Sequence, residues 1–107
     1  MTDSFTLDDL AHLIASRARA DADSSYTRTL LDSGVPRIAK KFGEEAFEAA
    51  IAAVQGDREA LRAEAADVLS HLLVLLQAGG VPLQDVVEEL ARRTRQSGLQ
   101  EKSSRPK

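Results

Sequence analysis

The sequence predicts an all-α fold, a bundle of four to five helices. Hydrophobic residues make up 43% of the 107 residues but aromatic residues only 4%, so the apolar content is mainly small aliphatic side chains, which suit closely packed helices. Apolar residues recur at intervals of three and four, and no strand-like alternation persists. A chain this short accommodates one domain, assigned here to residues 1–96 and followed by a polar, flexible tail at 97–107.

Composition excludes several classes of protein. The net charge of -3 provides no basic surface for nucleic acid or for an anionic membrane. Cysteine is absent, so neither disulfides nor thiolate metal sites are expected. No apolar run approaches the ~18 residues of a membrane span, and the N-terminus lacks the pattern of a secretory leader. We therefore expect a cytoplasmic protein.

The first two predicted helices flank a polar stretch. Thr6 and Asp9 have the spacing of a capping box, which predicts a helix over residues 7–21. The stretch from Asp21 to Thr27 carries the only tyrosine, Tyr26. One interpretation is a linker whose Ser or Thr caps a short helix over 27–32. The other is that its hydroxyls bind phosphate or ribose.

Glycine and proline delimit the longer helices. Pro36 suits the first turn of a helix predicted over 36–54, and Gly56 follows its end. The next helix opens with acidic residues at 57–59, which suit the helix dipole, and stops at Gly79–Gly80.

The helix that opens at 57–59 carries the prediction of a dimer. From residue 68 to 76 the chain is apolar almost all round, which indicates burial on more than one side. In so small a protein this favours a homodimer formed through the long central helices. A final helix starts at Pro82 and ends among arginines, which complement its dipole.

Two pairs of acidic residues stand at i, i+3 spacing on consecutive helices, so the members of each pair share a helix face. They are Glu45 with Glu48, and Glu64 with Asp67. We expect both pairs at the edges of the apolar stripes through which the two helices pack. The predicted stripes are Ile38, Phe42, Ala49 and Ala53 on one helix, and Leu61, Ala65, Leu72 and Leu76 on the other.

Four converging carboxylates repel one another and raise their own pKa values unless a cation joins them. Oxygen-only ligands suit Mg2+ or Mn2+, and Lys40 and Lys41 are placed to neutralise phosphate oxygens. This combination favours hydrolysis of a phosphoanhydride. The alternative is a set of surface acids, with Lys40–Glu44 and Lys41–Glu45 as ordinary i, i+4 pairs.

The order of these motifs resembles that of the phosphoribosyl-ATP pyrophosphatase family, within the MazG-like all-α nucleoside triphosphate pyrophosphohydrolases. The matching segments are Ser25-Tyr26-Thr27, Lys41-x-Gly43-Glu44-Glu45-x-x-Glu48, Gly56-Asp57, Glu64-Ala65-Ala66-Asp67 and His71-Leu72-Leu73.

The resemblance implies a Mg2+-dependent, homodimeric enzyme of histidine biosynthesis that hydrolyses phosphoribosyl-ATP to phosphoribosyl-AMP and pyrophosphate. The metal ligands that it implies are Glu45, Glu48, Glu64 and Asp67. The implied substrate contacts are Ser25, Tyr26, Thr27 and Lys41. Glu44 would orient water, and Glu48 is expected to be essential for catalysis. His71 is expected to pack or to support the ligands.

Two other functions stay open at this point. A housecleaning pyrophosphatase of the same superfamily would remove noncanonical nucleoside triphosphates, but it would not need the Ser25–Thr27 stretch for an added phosphoribosyl group. A helical oligomerisation module without catalytic activity would use its acidic residues only for solubility.

Overall fold

A computed structural model describes residues 4–19 and 25–95, and within these residues every regular element is an α-helix. The helices are α1 Leu7–Arg17, α2 Tyr26–Asp32, α3 Val35–Val54, α4 Arg58–Gly79 and α5 Leu83–Thr94. The predicted all-α class is therefore confirmed. The predicted flexible tail at 97–107, and residues 20–24 of the polar stretch, lie outside the described residues.

The predicted capping box at the start of α1 is present. Asp9 N donates to Thr6 Oγ1 at 3.0 Å, and Thr6 N donates to Asp9 Oδ2 at 3.1 Å. The helix ends earlier than predicted, at Arg17 rather than residue 21. Arg19 N donates a hydrogen bond to Ser16 O, three residues back. A bond of this 3-10 type tightens the last turn at the end of an α-helix.

Glycines end α3 and α4, as the sequence predicts. Gly56 and Gly80 have φ of 72° and 75°, the left-handed conformation that L-residues with a Cβ adopt at a cost. The short turn at 55–57 reverses the chain, so α3 and α4 form a helical hairpin with the most extensive helix contact in the described structure. This hairpin is the frame on which the site is built.

The hydrophobic core lies where α1 and α2 pack against the hairpin. Its buried members are Ile14, Leu30, Ile38, Leu73 and Val74. Between α4 and α5 the chain bends by 111°. Among the described helices none is long and apolar enough to cross a membrane alone; α4 and α5 reach that length and composition only as this bent pair.

The buried faces of the hairpin match the predicted stripes only in part. On α3 the buried residues are Ile38, Glu45 and Ala52, seven residues apart, whereas Ala53 is exposed. On α4 the buried residues are Leu73 and Val74, and Leu61 at the start of the predicted stripe is exposed. The other predicted stripe residues are half-buried: Phe42, Ala49, Ala65, Leu72 and Leu76. The stripes are therefore correct except at Ala53 and Leu61, but apolar spacing alone does not reveal that a carboxylate lies inside the contact face.

Two arginines at the end of α5 pair with one carboxylate. Arg92 Nη2 and Arg93 Nε lie 2.6 and 3.0 Å from Glu89 Oε2, and their hydrogen bonds lower the pKa of Glu89 to about 2. Because the folded-state pKa is below the unfolded value, the pairs stabilise the fold above about pH 4.5 and lose this effect as the pH falls towards 2. Solvent screening keeps the effect small.

We expect the difference in unfolding free energy between the unmodified protein and Glu89→Gln to be constant above about pH 5 and to shrink between pH 4.5 and 2. Urea unfolding at a series of pH values measures it. A difference that does not vary over this range would contradict the role of the two arginines.

Candidate active site and metal centre

Three carboxylates converge at the α3–α4 contact. Glu45 and Glu48 lie one turn apart on α3, and Glu64 faces them from α4. One oxygen from each side chain lies within 4.8 Å of one from each of the other two. The structure thus brings together three of the four residues predicted as metal ligands.

The three carboxylates of the cluster differ in burial, from the helix contact to the side that is open to solvent. Glu45 is only 7% exposed, Glu64 is half-buried and Glu48 is exposed. Oε1 of Glu64 is buried without a hydrogen-bond partner in the described part of the chain. Burying a carboxylate oxygen without a hydrogen-bond donor costs free energy. A cation beside Glu64 would offset this cost.

The pKa of Glu64 is raised first by burial, which disfavours its charge, and then by the neighbouring charges of Glu48, Glu45 and Asp67. A divalent cation would oppose this rise in the pKa, because it supplies opposite charge that favours the ionised carboxylate where water is partly excluded. The donors are carboxylate oxygens, the ligand type that hard cations prefer. The residues present therefore fit a divalent metal ion.

Asp67, the fourth predicted ligand, lies outside the group of three oxygens, although its charge acts on Glu64. Its backbone carbonyl accepts a hydrogen bond from Nδ1 of His71 at 2.8 Å. Since a carbonyl only accepts, Nδ1 carries a proton, and in the neutral imidazole Nε2 is then the acceptor. Nε2 is buried and has no partner among the described residues.

Lys41 links the carboxylates to the neighbouring surface of α3. Its Nζ lies 3.2 Å from Oε2 of Glu45. The hydrogen bond to Glu45 raises the pKa of Lys41, and the nearby Tyr26 and Glu44 raise it slightly further. The i, i+4 pair between Lys41 and Glu45 therefore forms, but it ends on a buried carboxylate, unlike an ordinary surface pair.

The three residues of the polar stretch have different environments. Ser25 Oγ accepts a hydrogen bond from Arg28 N at 3.2 Å and so caps α2, as the linker interpretation predicts. Thr27 is 9% exposed, whereas Tyr26 is 64% exposed and lies near Lys41. Of the three predicted substrate contacts, Tyr26 presents its side chain most openly.

A basic groove lies beside this site, between α2 and α3. Its volume is about 220 Å3, and its walls are formed by Leu30, Arg37, Lys40, Lys41 and Glu44. Sequence reasoning identified the two lysines and Glu44 but missed Arg37. The signal was present, since Arg37, Lys41 and Glu44 follow i, i+4, i+7 spacing along one face of α3.

Comparison with known proteins is consistent with this geometry. A family model described as phosphoribosyl-ATP pyrophosphohydrolase matches residues 7–94. A phosphoribosyl-ATP pyrophosphatase of Methylobacterium radiotolerans is 63% identical over 102 residues, which cover 95% of each chain. Another, of Azorhizobium caulinodans, is 58% identical over 103 residues, covering 96% of this chain and 94% of that protein.

Proposed function

The chain belongs to the phosphoribosyl-ATP pyrophosphohydrolase family, and from this premise we propose that it hydrolyses phosphoribosyl-ATP to phosphoribosyl-AMP and pyrophosphate, the second step of histidine biosynthesis. The observation that carries the proposal is the convergence of Glu45, Glu48 and Glu64 within 4.8 Å beside a basic groove. Carboxylates beside cations are what a phosphoanhydride hydrolase needs to hold a metal and a polyphosphate together.

In the proposed reaction, water adds across the anhydride between the α- and β-phosphates. The water oxygen bonds to phosphorus, the bridging P–O bond breaks and pyrophosphate leaves. Glu44 is exposed at the groove, where its carboxylate can orient the water and accept its proton. Lys41 donates hydrogen bonds to phosphate oxygens. Tyr26 and Lys40 extend this contact surface.

The proposed metal is Mg2+ or Mn2+, held by Glu45, Glu48, Glu64 and Asp67. When bound, the ion neutralises phosphate charge and polarises the scissile anhydride. We propose that Glu48 both binds the metal and takes part in catalysis. It is the exposed member of the cluster, so its carboxylate borders both the metal and the substrate. Burial of Glu45 by the hairpin and its pairing with Lys41 keep the cluster in a fixed orientation.

We expect Mg2+ to raise the melting temperature of the unmodified protein, because a ligand at 100 times its Kd stabilises the native state by about 2.7 kcal/mol. Glu64→Gln is expected to raise the melting temperature without Mg2+, since it removes a charge that burial and neighbouring acids disfavour. The same variant is expected to lose most of the response to Mg2+.

Thermal unfolding with and without Mg2+ measures both effects. Glu59→Gln, an exposed acid in the first turn of α4, is the matched control and is expected to keep the full response. If Mg2+ leaves the melting temperature of the unmodified protein unchanged, the metal proposal is wrong.

The activity is tested by generating phosphoribosyl-ATP in situ and following pyrophosphate release beside a panel of ordinary and modified nucleoside triphosphates. Release that is rapid only from phosphoribosyl-ATP supports the proposal. Release only from the triphosphates assigns the protein to the housecleaning class. No release from any substrate by the folded protein with Mg2+ favours the oligomerisation module.

We also propose that the protein is a homodimer, with a cytoplasmic location as expected from the sequence. The hairpin leaves large apolar side chains on its surface: Phe47, Ile51 and Val54 on α3, and Leu61 and Leu69 on α4. Val54 is 88% exposed and borders one surface depression with Phe47 and Ile51, and exposed apolar surface of this kind marks association sites. A second copy related by twofold symmetry would cover it.

Light scattering tests the proposed homodimer. The expected mass is twice the 11.6 kDa of one chain, and a monomeric mass would contradict the proposal.

A further inference from the structure

The proposed substrate has two separate anionic ends, and this inference rests on the proposed function. A triphosphate stands at one end and the phosphate of the added phosphoribosyl group at the other. The carboxylate cluster provides a metal site for the triphosphate only. Discrimination between phosphoribosyl-ATP and ATP therefore needs a second site that binds a phosphate at a distance from the first.

The basic groove has the charge for such a site. Arg37 and Lys40 are exposed, and neither makes an ion pair with any residue in the described ranges. Among the described residues of the groove wall Glu44 is the one acidic side chain, and it lies at the end nearer the cluster. The groove thus has two cations that no carboxylate in the described part of the chain pairs with, as a phosphate site requires.

The groove also has the right separation from the cluster. At a rise of 1.5 Å per residue, Arg37 lies about 12 Å before Glu45 and about 16 Å before Glu48 along α3. Long side chains on a helix lean towards its N-terminus, so Arg37 points away from the carboxylates. A triphosphate held at the cluster is too short to fill this interval, whereas a base and the two riboses attached to it, standing between two phosphates, span it.

We propose that Arg37 and Lys40 bind the 5′-phosphate of the phosphoribosyl group, and that Arg37 is the specificity-determining residue that separates phosphoribosyl-ATP from ATP. A guanidinium binds a phosphate through two parallel hydrogen bonds. Lys41, tied to Glu45 at 3.2 Å, stands between the two anion sites and serves the triphosphate end.

The test compares Arg37→Gln with Arg62→Gln, an equal loss of charge at an exposed position near the opposite end of the hairpin. Losing hydrogen bonds to a charged phosphate typically weakens binding by about tenfold or more. We expect Arg37→Gln to raise KM for phosphoribosyl-ATP by at least about this factor, with a much smaller change in kcat. Arg62→Gln is expected to match the unmodified protein.

Calorimetric binding without metal provides a readout independent of turnover. The probes are phosphoribosyl-AMP, which carries both phosphates, and AMP, which lacks the phosphoribosyl phosphate. The unmodified protein is expected to bind phosphoribosyl-AMP more tightly, and Arg37→Gln is expected to reduce that affinity to the level of AMP. Lys40→Gln provides the same comparison if Arg37→Gln does not fold.

Equal weakening of AMP and phosphoribosyl-AMP by Arg37→Gln would overturn the proposal, because the groove would then bind the nucleotide phosphates. Unchanged binding of both would also overturn it. Failure of the proposed function can be distinguished from failure of the Arg37 proposal. If the proposed function is wrong, neither the unmodified protein nor the Arg37→Gln variant releases pyrophosphate from phosphoribosyl-ATP.

Discussion

Glu48→Gln is expected to fold normally and to lose Mg2+-dependent hydrolysis, with kcat/KM for phosphoribosyl-ATP reduced by about 10²-fold or more. Glu48 supplies one of the three convergent oxygens and is the exposed member of the group. A neutral amide keeps the shape of the side chain but is a poor ligand for a hard cation. Since Glu48 is outside the hydrophobic core, its replacement leaves core packing intact.

Pyrophosphate release and thermal unfolding, measured on the same preparation, separate catalysis from folding. Glu59→Gln removes an equal charge from the first turn of α4 and is expected to retain full activity. If Glu48→Gln keeps the rate of the unmodified protein, Glu48 is not part of the active site. The three convergent carboxylates would then have no role in catalysis.

Ile38→Ala is expected to lower the free energy of unfolding by about 2–5 kcal/mol, the usual cost of truncating a fully buried aliphatic side chain. Ile38 is 0% exposed and packs in the core with Leu30 of α2 and Leu73 of α4. Domains of this size are stable by about 5–15 kcal/mol, so this one substitution removes a large share of the total.

Urea denaturation of the unmodified protein and the variant measures this loss. Val35→Ala, at an exposed position in the first turn of the same helix, is the control and is expected to change stability by no more than about 0.5 kcal/mol. Equal losses for the two variants would show that the core does not depend on Ile38.

The features predicted correctly from the sequence depend on interactions within one or two helical turns. The capping box of Thr6 and Asp9 and the left-handed glycines at 56 and 80 are local consequences of side-chain chemistry and backbone sterics. The shared face of Glu45 and Glu48 likewise follows from helical periodicity alone.

The burial of Glu45 was not predictable in this way. Apolar spacing placed the acidic residues at the edge of the contact, whereas Glu45 lies inside it. Its burial depends on the partner helix, which covers it, and on Lys41, which pairs with it. The groove was not predictable either, because Leu30 in its wall comes from another helix; only the shared face of Arg37 and Lys41 could have been predicted from the sequence.

By itself the sequence determined the helical class, the helix ends marked by glycine, and the acidic pairs that mark the family, because each is encoded by residues three or four apart. Only the tertiary structure decided that Glu45, Glu48 and Glu64 share a space 4.8 Å across and that α2 forms a groove with the basic face of α3. The physical reason is that the rotation and register of α4 against α3 depend on how the side chains of both helices pack together. The sequence of either helix alone does not determine them.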